Sequence, residues 1–200
     1  MSLVRTVKRA KQSRRQQAGL SMIELLIAML VLMIGLMGSM VLVRTAIVNN
    51  NRNKLDTTAT ALAQMVLEQI NSRPANVNTN ITILDCTGTP VTINPTGAAA
   101  PGAGATLIQA GFNAGNIDFS QDFTAVPAGY AMQYVTCGPA PGAPGAAAGP
   151  QVTYEVRWNV TTMTGFTKLV TVSARKRIAT NTGALPYFAV PVTLRGIGGQ

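Results

Sequence analysis

Between Leu25 and Val43 the chain runs LLIAMLVLMIGLMGSMVLV, nineteen residues without a charge. Only Gly35, Gly38 and Ser39 among them are not clearly apolar. A helix needs roughly 20 such residues to cross a bilayer, so this stretch is predicted to be a membrane helix. Its flanks set the direction. Arg5, Lys8, Arg9, Lys11, Arg14 and Arg15 precede it with no acid before Glu24, while only Arg44 and Arg52 follow closely. The positive-inside rule then places Met1 in the cytoplasm and the remainder outside. The same six residues explain much of the formal charge of +9. Beyond residue 19, ten positive charges face seven negative ones, so the basic balance mostly describes a tail.

A secretory signal peptide would have an apolar core of about 7–15 residues with an A-x-A-like site after it. Here the core is longer, and VLVRTAIVNNN offers no small-x-small site. The small residue stands before the core instead, in AGLSMIELLIAML, where Gly19 is followed by Leu20, Ser21, Met22, Ile23 and Glu24. This stretch resembles the N-terminal cleavage and methylation motif of type IV prepilins and pseudopilins. The resemblance implies a basic leader ending at Gly19, cut on the cytoplasmic side by a prepilin peptidase. It implies a mature, N-methylated terminus at Leu20, where the family usually has Phe, and Glu24 as the fifth mature residue. MIGLMGSM and LAQMVLEQI are also similar to parts of PilV-type minor pilins.

An ionised carboxylate near hydrocarbon depth costs a few kcal/mol on insertion scales. Two accounts of Glu24 stand side by side. In one it snorkels toward the headgroups and gains from the positive end of the helix dipole. In the other, which the resemblance implies, it meets the Leu20 amine of a neighbouring subunit, and low dielectric strengthens that pair. Gly35 and Ser39 form a small-xxx-small pair that suits close helix contact, although such residues are common in membrane helices anyway.

Past Arg44 the sequence turns polar but keeps helical spacing. Leu55, Ala59, Leu62, Val66 and Ile70 form one stripe, ended near Ser72 by Pro74. NNNRN at 49–53 is a poor helix stretch, expected to bend or fray the rod. In VTYEVRWNV, Val152, Tyr154, Val156, Trp158 and Val160 alternate with Thr153, Glu155, Arg157 and Asn159, predicting a strand buried on one side. TTMTG is expected to turn and FTKLVTVSAR to return, with Val170, Val172 and Ala174 facing the core. ITILDC and GYAMQYVTC read as weaker strands, and PYFAVPVTL as an edge strand because of its prolines. The Pro/Gly-rich segments 94–105 and 138–150 are expected to be flexible surface loops. Cys86 and Cys137 are the only cysteines, and outside the inner membrane such a pair reads as a disulfide.

There is no histidine, no Gly-rich phosphate loop and no metal-ligand cluster, so the chain is not expected to be an enzyme or to hold a cofactor or metal. Asp118 and Asp122 lie in a polar stretch without a second feature to make them an acid/base pair. Arg175, Lys176 and Arg177 form a short basic run without an aromatic ladder, so nucleic acid is not the expected partner.

The expected fold is α+β and type IV pilin-like, with a long N-terminal helix packed on a small antiparallel sheet. It divides into a cleaved leader at 1–19, a transmembrane or filament-core half-helix at 20–48 and an amphipathic half-helix at 49–73. A periplasmic β-rich domain follows at 74–200. The resemblance implies a minor pilin whose partners are a prepilin peptidase, other pilins and minor pilins, the inner-membrane assembly platform and the membrane itself. A type II secretion pseudopilin shares the same leader and helix. An uncleaved, membrane-anchored periplasmic binding protein is the alternative from another class.

Overall fold

The computed structural model describes residues 21–137, 152–177 and 190–199. One helix, α1, runs from Met22 to Asn71. Two units meet at Asn49/Asn50 within its sequence span. In the first, every described residue is exposed. NNNRN remains helical, so the fraying expected there does not occur. Asn and Arg each cost only fractions of a kcal/mol in a helix, and an established helix propagates at little cost. The hydroxyl of Thr57 donates back to the carbonyl of Asn53, the last residue of this stretch, and that of Thr58 to the next carbonyl, Lys54.

In the second unit the amphipathic stripe is realised. Ala59, Leu62, Val66 and Ile70 are buried, Ala63 joins them, and Leu55 packs partly buried at their end. They cover an antiparallel sheet. Its strands are β3 (Ala103–Gly104), β4 (Ala131–Val135), β5 (Thr153–Thr164), β6 (Thr167–Lys176) and β7 (Val192–Gly198). The order is β3-β5-β6-β7, and β4 shares the β3 edge of β5. A separate hairpin joins β1 (Ile81–Leu84) to β2 (Pro90–Ile93). This is an α+β arrangement consistent with a type IV pilin-like fold.

Tyr154, Val156, Trp158, Val160, Val170, Val172 and Ala174 form the helix-facing layer and are almost wholly buried. At β7 the backbone itself comes close to α1: a Cβ on Gly196 would meet Leu67 and Asn71, and one on Gly198 would meet Asn71. A larger residue at Gly196 would make the Leu67 and Asn71 side chains shift, and one at Gly198 would also press on the Asn71 backbone. Lys168, on the same layer, donates from Nζ to the carbonyl of Arg73 at 3.1 Å. It thereby satisfies an oxygen just past the helix end, where a cation also complements the dipole. Burial pushes the Lys168 ammonium pKa down.

Three expectations need correction. First, 94–105 is a surface loop only at its tip, residues 98–101, which are exposed. Pro95 and Ala105 are fully buried, Ala98 bridges to Thr161, and Ala103–Gly104 pairs with β5. Trp158 Nε1 donates to the Asn94 carbonyl at 3.0 Å and Tyr130 Oη to the Thr96 carbonyl at 2.7 Å, so two aromatic side chains hold the segment down. The segment 138–150 lies outside the described residues. Second, β5 continues through Thr164, and the turn falls at Gly165–Phe166 rather than over TTMTG. The β-branched threonines suit a strand, with an irregularity in register between Thr162 and Thr164. Third, the edge strand lies further along than PYFAVPVTL: β7 starts after Pro191, because proline cannot donate to the ladder. Residues 186–189 of that stretch lie outside the described residues.

Cys86 and Cys137 form a disulfide with Cα atoms 5.2 Å apart and a sequence separation of 51. It ties the chain just after β1 to the chain just after β4, beside the Cys86 N–H bond to the Val135 carbonyl. Replacing both cysteines by serine should lower unfolding free energy by about 4 kcal/mol on the loop-entropy account. Urea denaturation of the variant and the oxidised parent measures it; equal midpoints would refute it.

Candidate functional site

The residues singled out at the N-terminus do not converge on a cleft; they lie along one helix. Gly19 and Leu20 fall outside the described residues. Ser21 opens the helix, its carbonyl accepting the N–H groups of Glu24 at 2.9 Å and Leu25 at 3.1 Å. Glu24 thus occupies the first turn, where a carboxylate is favoured by the helix dipole. From Leu25 to Val43 the apolar side chains are exposed in every direction. A helix that is apolar all round needs a surrounding of lipid or of other helices. Among the described residues this is one helix long and apolar enough to cross a membrane. Ser39 donates its hydroxyl to the Leu36 carbonyl, so its polar group is satisfied within the helix.

The sheet carries a second arrangement that alternation in the sequence had assigned to solvent. Glu155, Arg157 and Asn159 point away from α1, yet all are buried. Thr171 and Ser173 are buried beside them. The segment around 105–126 covers this face. Arg157 Nη1 donates to the carbonyls of Asp118 at 3.2 Å and Gln121 at 2.8 Å, and Asn159 Nδ2 to that of Ala105 at 2.9 Å. Glu155 is held between two guanidinium groups. Its Oε1 pairs with Arg157, and its Oε2 with Arg175 Nη2 at 2.9 Å. The Phe119 ring lies 5.0 Å from the Arg157 guanidinium carbon and 4.3 Å from that of Arg175. Arg175 is therefore taken up internally, and Arg177 bonds the Gln133 side chain. One signal of this network was present in the sequence: acid and base at Glu155 and Arg175 become direct cross-strand partners.

Asp118 and Asp122 serve turns. Asp118 Oδ1 accepts from the hydroxyl of Ser120 at 2.6 Å and its amide at 2.8 Å. Asp122 caps the 3-10 turn Phe123–Ala125 by accepting from the hydroxyl and amide of Thr124. The Ser120 hydroxyl first, and then its amide, hold the Asp118 pKa below the ordinary carboxylate value; the Thr124 hydroxyl and amide do the same for Asp122. Between 3.8 and those lower folded values the unfolded chain binds more protons, so stability falls as pH falls through that interval. The double variant Asp118→Asn, Asp122→Asn should flatten this acid limb. Urea midpoints followed from neutral pH to about pH 2 test it, and an unchanged slope would refute it.

An exposed apolar N-terminal helix that opens on an acid, followed by an α+β unit, is the arrangement of a chain suited to a membrane anchor. Compared with known families, residues 14–40 match the prokaryotic N-terminal methylation motif. Neither the curated proteins nor the solved structures yield a match. The match spans 27 of the 200 residues, and what it matches is a type IV pilin-like leader with the start of the apolar run. It implies processing by a prepilin peptidase and assembly with other pilins. Together with the apolar helix it suggests membrane anchoring.

Proposed function

We propose that this chain is a minor pilin, built into a type IV pilus or priming its assembly after its leader is removed. Residues 1–19 are the leader, and cleavage between Gly19 and Leu20 frees the amine that is then methylated. Residues 20–48 lie first in the inner membrane and then in the filament core. Residues 49–73 cover the sheet, and 74–200 form the periplasmic domain, with the original N-terminus cytoplasmic. Glu24 pairs with the Leu20 amine of a neighbouring subunit, so proteolysis licenses assembly by creating the positive partner.

The observation that carries this reading is the methylation motif on residues 14–40, set on a helix whose apolar surface is exposed all round. The similarity of MIGLMGSM and LAQMVLEQI to PilV-type chains favours a minor pilin over other members. Mass spectrometry of the chain from membranes and from sheared filaments tests it. The expected N-terminus is methylated Leu20, in both fractions. A chain beginning at Met1 would instead indicate the uncleaved anchored protein. Recovery of the processed chain with secretion-machine subunits, and not with pili, would indicate the pseudopilin.

A further inference from the structure

The two edges of the main sheet differ. On one side β5 is stitched to β4, to β3 and to the bridge from Ala98. The other edge is β7, whose partner among the described residues is β6. The alternation of bonded pairs decides which groups of β7 face outward. The Arg177 N–H donates to the Thr153 carbonyl at 2.9 Å, and the two residues stand opposite each other at the end of the β5–β6 ladder. Bonded and unbonded pairs alternate along an antiparallel ladder, so the odd-numbered residues of β6, Leu169 to Arg175, turn their bonds to β5. The even-numbered ones, Lys168 to Ala174, are left for β7, which meets them with Val192, Leu194, Gly196 and Gly198. Thr193, Arg195 and Ile197 therefore direct their backbone N–H and carbonyl groups away from the sheet. Among the described residues, none of those groups has a main-chain partner.

Edge strands are usually blunted by charges, prolines or bulges, which discourage pairing with other chains. The charge on β7 is drawn aside. Arg195 Nη2 donates to Asn116 Oδ1 at 3.2 Å and to the Ala114 carbonyl at 3.5 Å, and it lies over Gly115, where an added Cβ would stand 2.5 Å away. Those acceptors are neutral, and among the described residues no carboxylate pairs with Arg195. Two residues further on, on the same face, Ile197 is 75% exposed. The edge thus offers an open main-chain ladder with an uncompensated cation and an apolar side chain at alternate positions. We infer that it accepts an extended segment of another protein as a further antiparallel strand, with a carboxylate opposite Arg195 and an apolar side chain opposite Ile197. In that register the added strand exchanges bonds with Thr193, Arg195 and Ile197, and opposed side chains share the outer face with Cβ atoms about 5 Å apart. A second copy of this chain fits poorly. Pairing β7 with β7 about a twofold axis over all three residues sets Arg195 against Arg195, and like charges directly opposed are destabilising. β7 lies wholly within the second unit, so this docking does not depend on the minor-pilin reading.

Amide exchange, followed residue by residue by NMR on the full chain in detergent micelles, provides the test. In the chain alone, Leu194 and Gly196 should exchange slowly and Thr193, Arg195 and Ile197 quickly. The probe is a capped peptide of alternating valine and threonine, with glutamate in place of its central valine. It should slow the three outward amides about tenfold when its concentration is about ten times its Kd. Lysine in place of the glutamate should weaken binding roughly fivefold, and Arg195→Glu should reverse that preference. Ile197→Pro removes one outward N–H without touching the β6 ladder, so that chain should fold and lose the peptide, while Ile197→Val should keep it. No slowing at about 1 mM peptide would overturn the inference. Slow exchange of the three amides in the chain alone would also overturn it. If that protection is independent of concentration, the chain fills its own edge; if it grows with concentration, a second copy fills it. Equal affinity for the glutamate and lysine peptides would overturn the carboxylate partner.

Discussion

Glu24→Ala should leave membrane insertion and leader cleavage intact while reducing incorporation into filaments by roughly a hundredfold to a few thousandfold. That magnitude follows from leaving one charge of a desolvated pair without its partner, typically 3–5 kcal/mol. Insertion should be unharmed, because removing an acid from the edge of an apolar helix lowers its transfer cost. Glu24→Gln separates charge from shape: it keeps the size and polarity of the side chain but cannot pair ionically with an amine. It should resemble the alanine variant. Comparing the processed chain in membranes with that in sheared filaments gives the measurement, and normal filament levels for both variants would refute the pairing. Normal levels for glutamine alone would reduce the role of Glu24 to hydrogen bonding.

The largest effect on the second unit is expected at Glu155, which is 5% exposed. Glu155→Ala leaves the Arg157 guanidinium, itself 1% exposed, without its counter-ion and Arg175 without its cross-strand partner. Removing one member of a buried ion pair costs about 3–5 kcal/mol, because the remaining charge is uncompensated. The carbonyls of Asp118 and Gln121 still accept from Arg157, which keeps the loss toward the lower end. The joint variant Glu155→Met, Arg157→Met should recover much of the stability, since well-packed apolar residues can replace a buried pair at little cost. Urea denaturation measures all three proteins. A loss below about 1 kcal/mol for Glu155→Ala, the range of a surface ion pair, would show that this face is wet in solution.

The apolar helix was legible because its evidence is additive along the chain. Leu25 to Val43 is apolar by composition, and the flanking charges are counted without knowing any contact. The stripe from Leu55 to Ile70 was legible for a related reason: a helical period maps directly onto a buried face. The core side of β5 and β6 followed in the same way from alternation.

The other side of that sheet did not follow. Alternation tells which residues share a face but not what lies over it. Glu155, Arg157 and Asn159 looked like solvent residues until the segment at 105–126 was laid across them. The segment 94–105 was misread for the same reason. Its Pro and Gly content suits a loose loop in isolation, yet the carbonyls of Asn94 and Thr96 meet donors on Trp158 and Tyr130, 64 and 34 residues away in sequence. Local composition cannot report hydrogen bonds of that range.

By itself, then, the sequence determined the apolar helix, the position of Glu24 in its first turn and the inward faces of α1, β5 and β6, all of which depend on period, composition or charge order. Only the tertiary structure decided that the outer face of the sheet is a buried polar layer. It also decided that Lys168 closes the helix end. Each of these depends on residues far apart in the chain meeting in space, and their energies come from desolvation that no single segment can express.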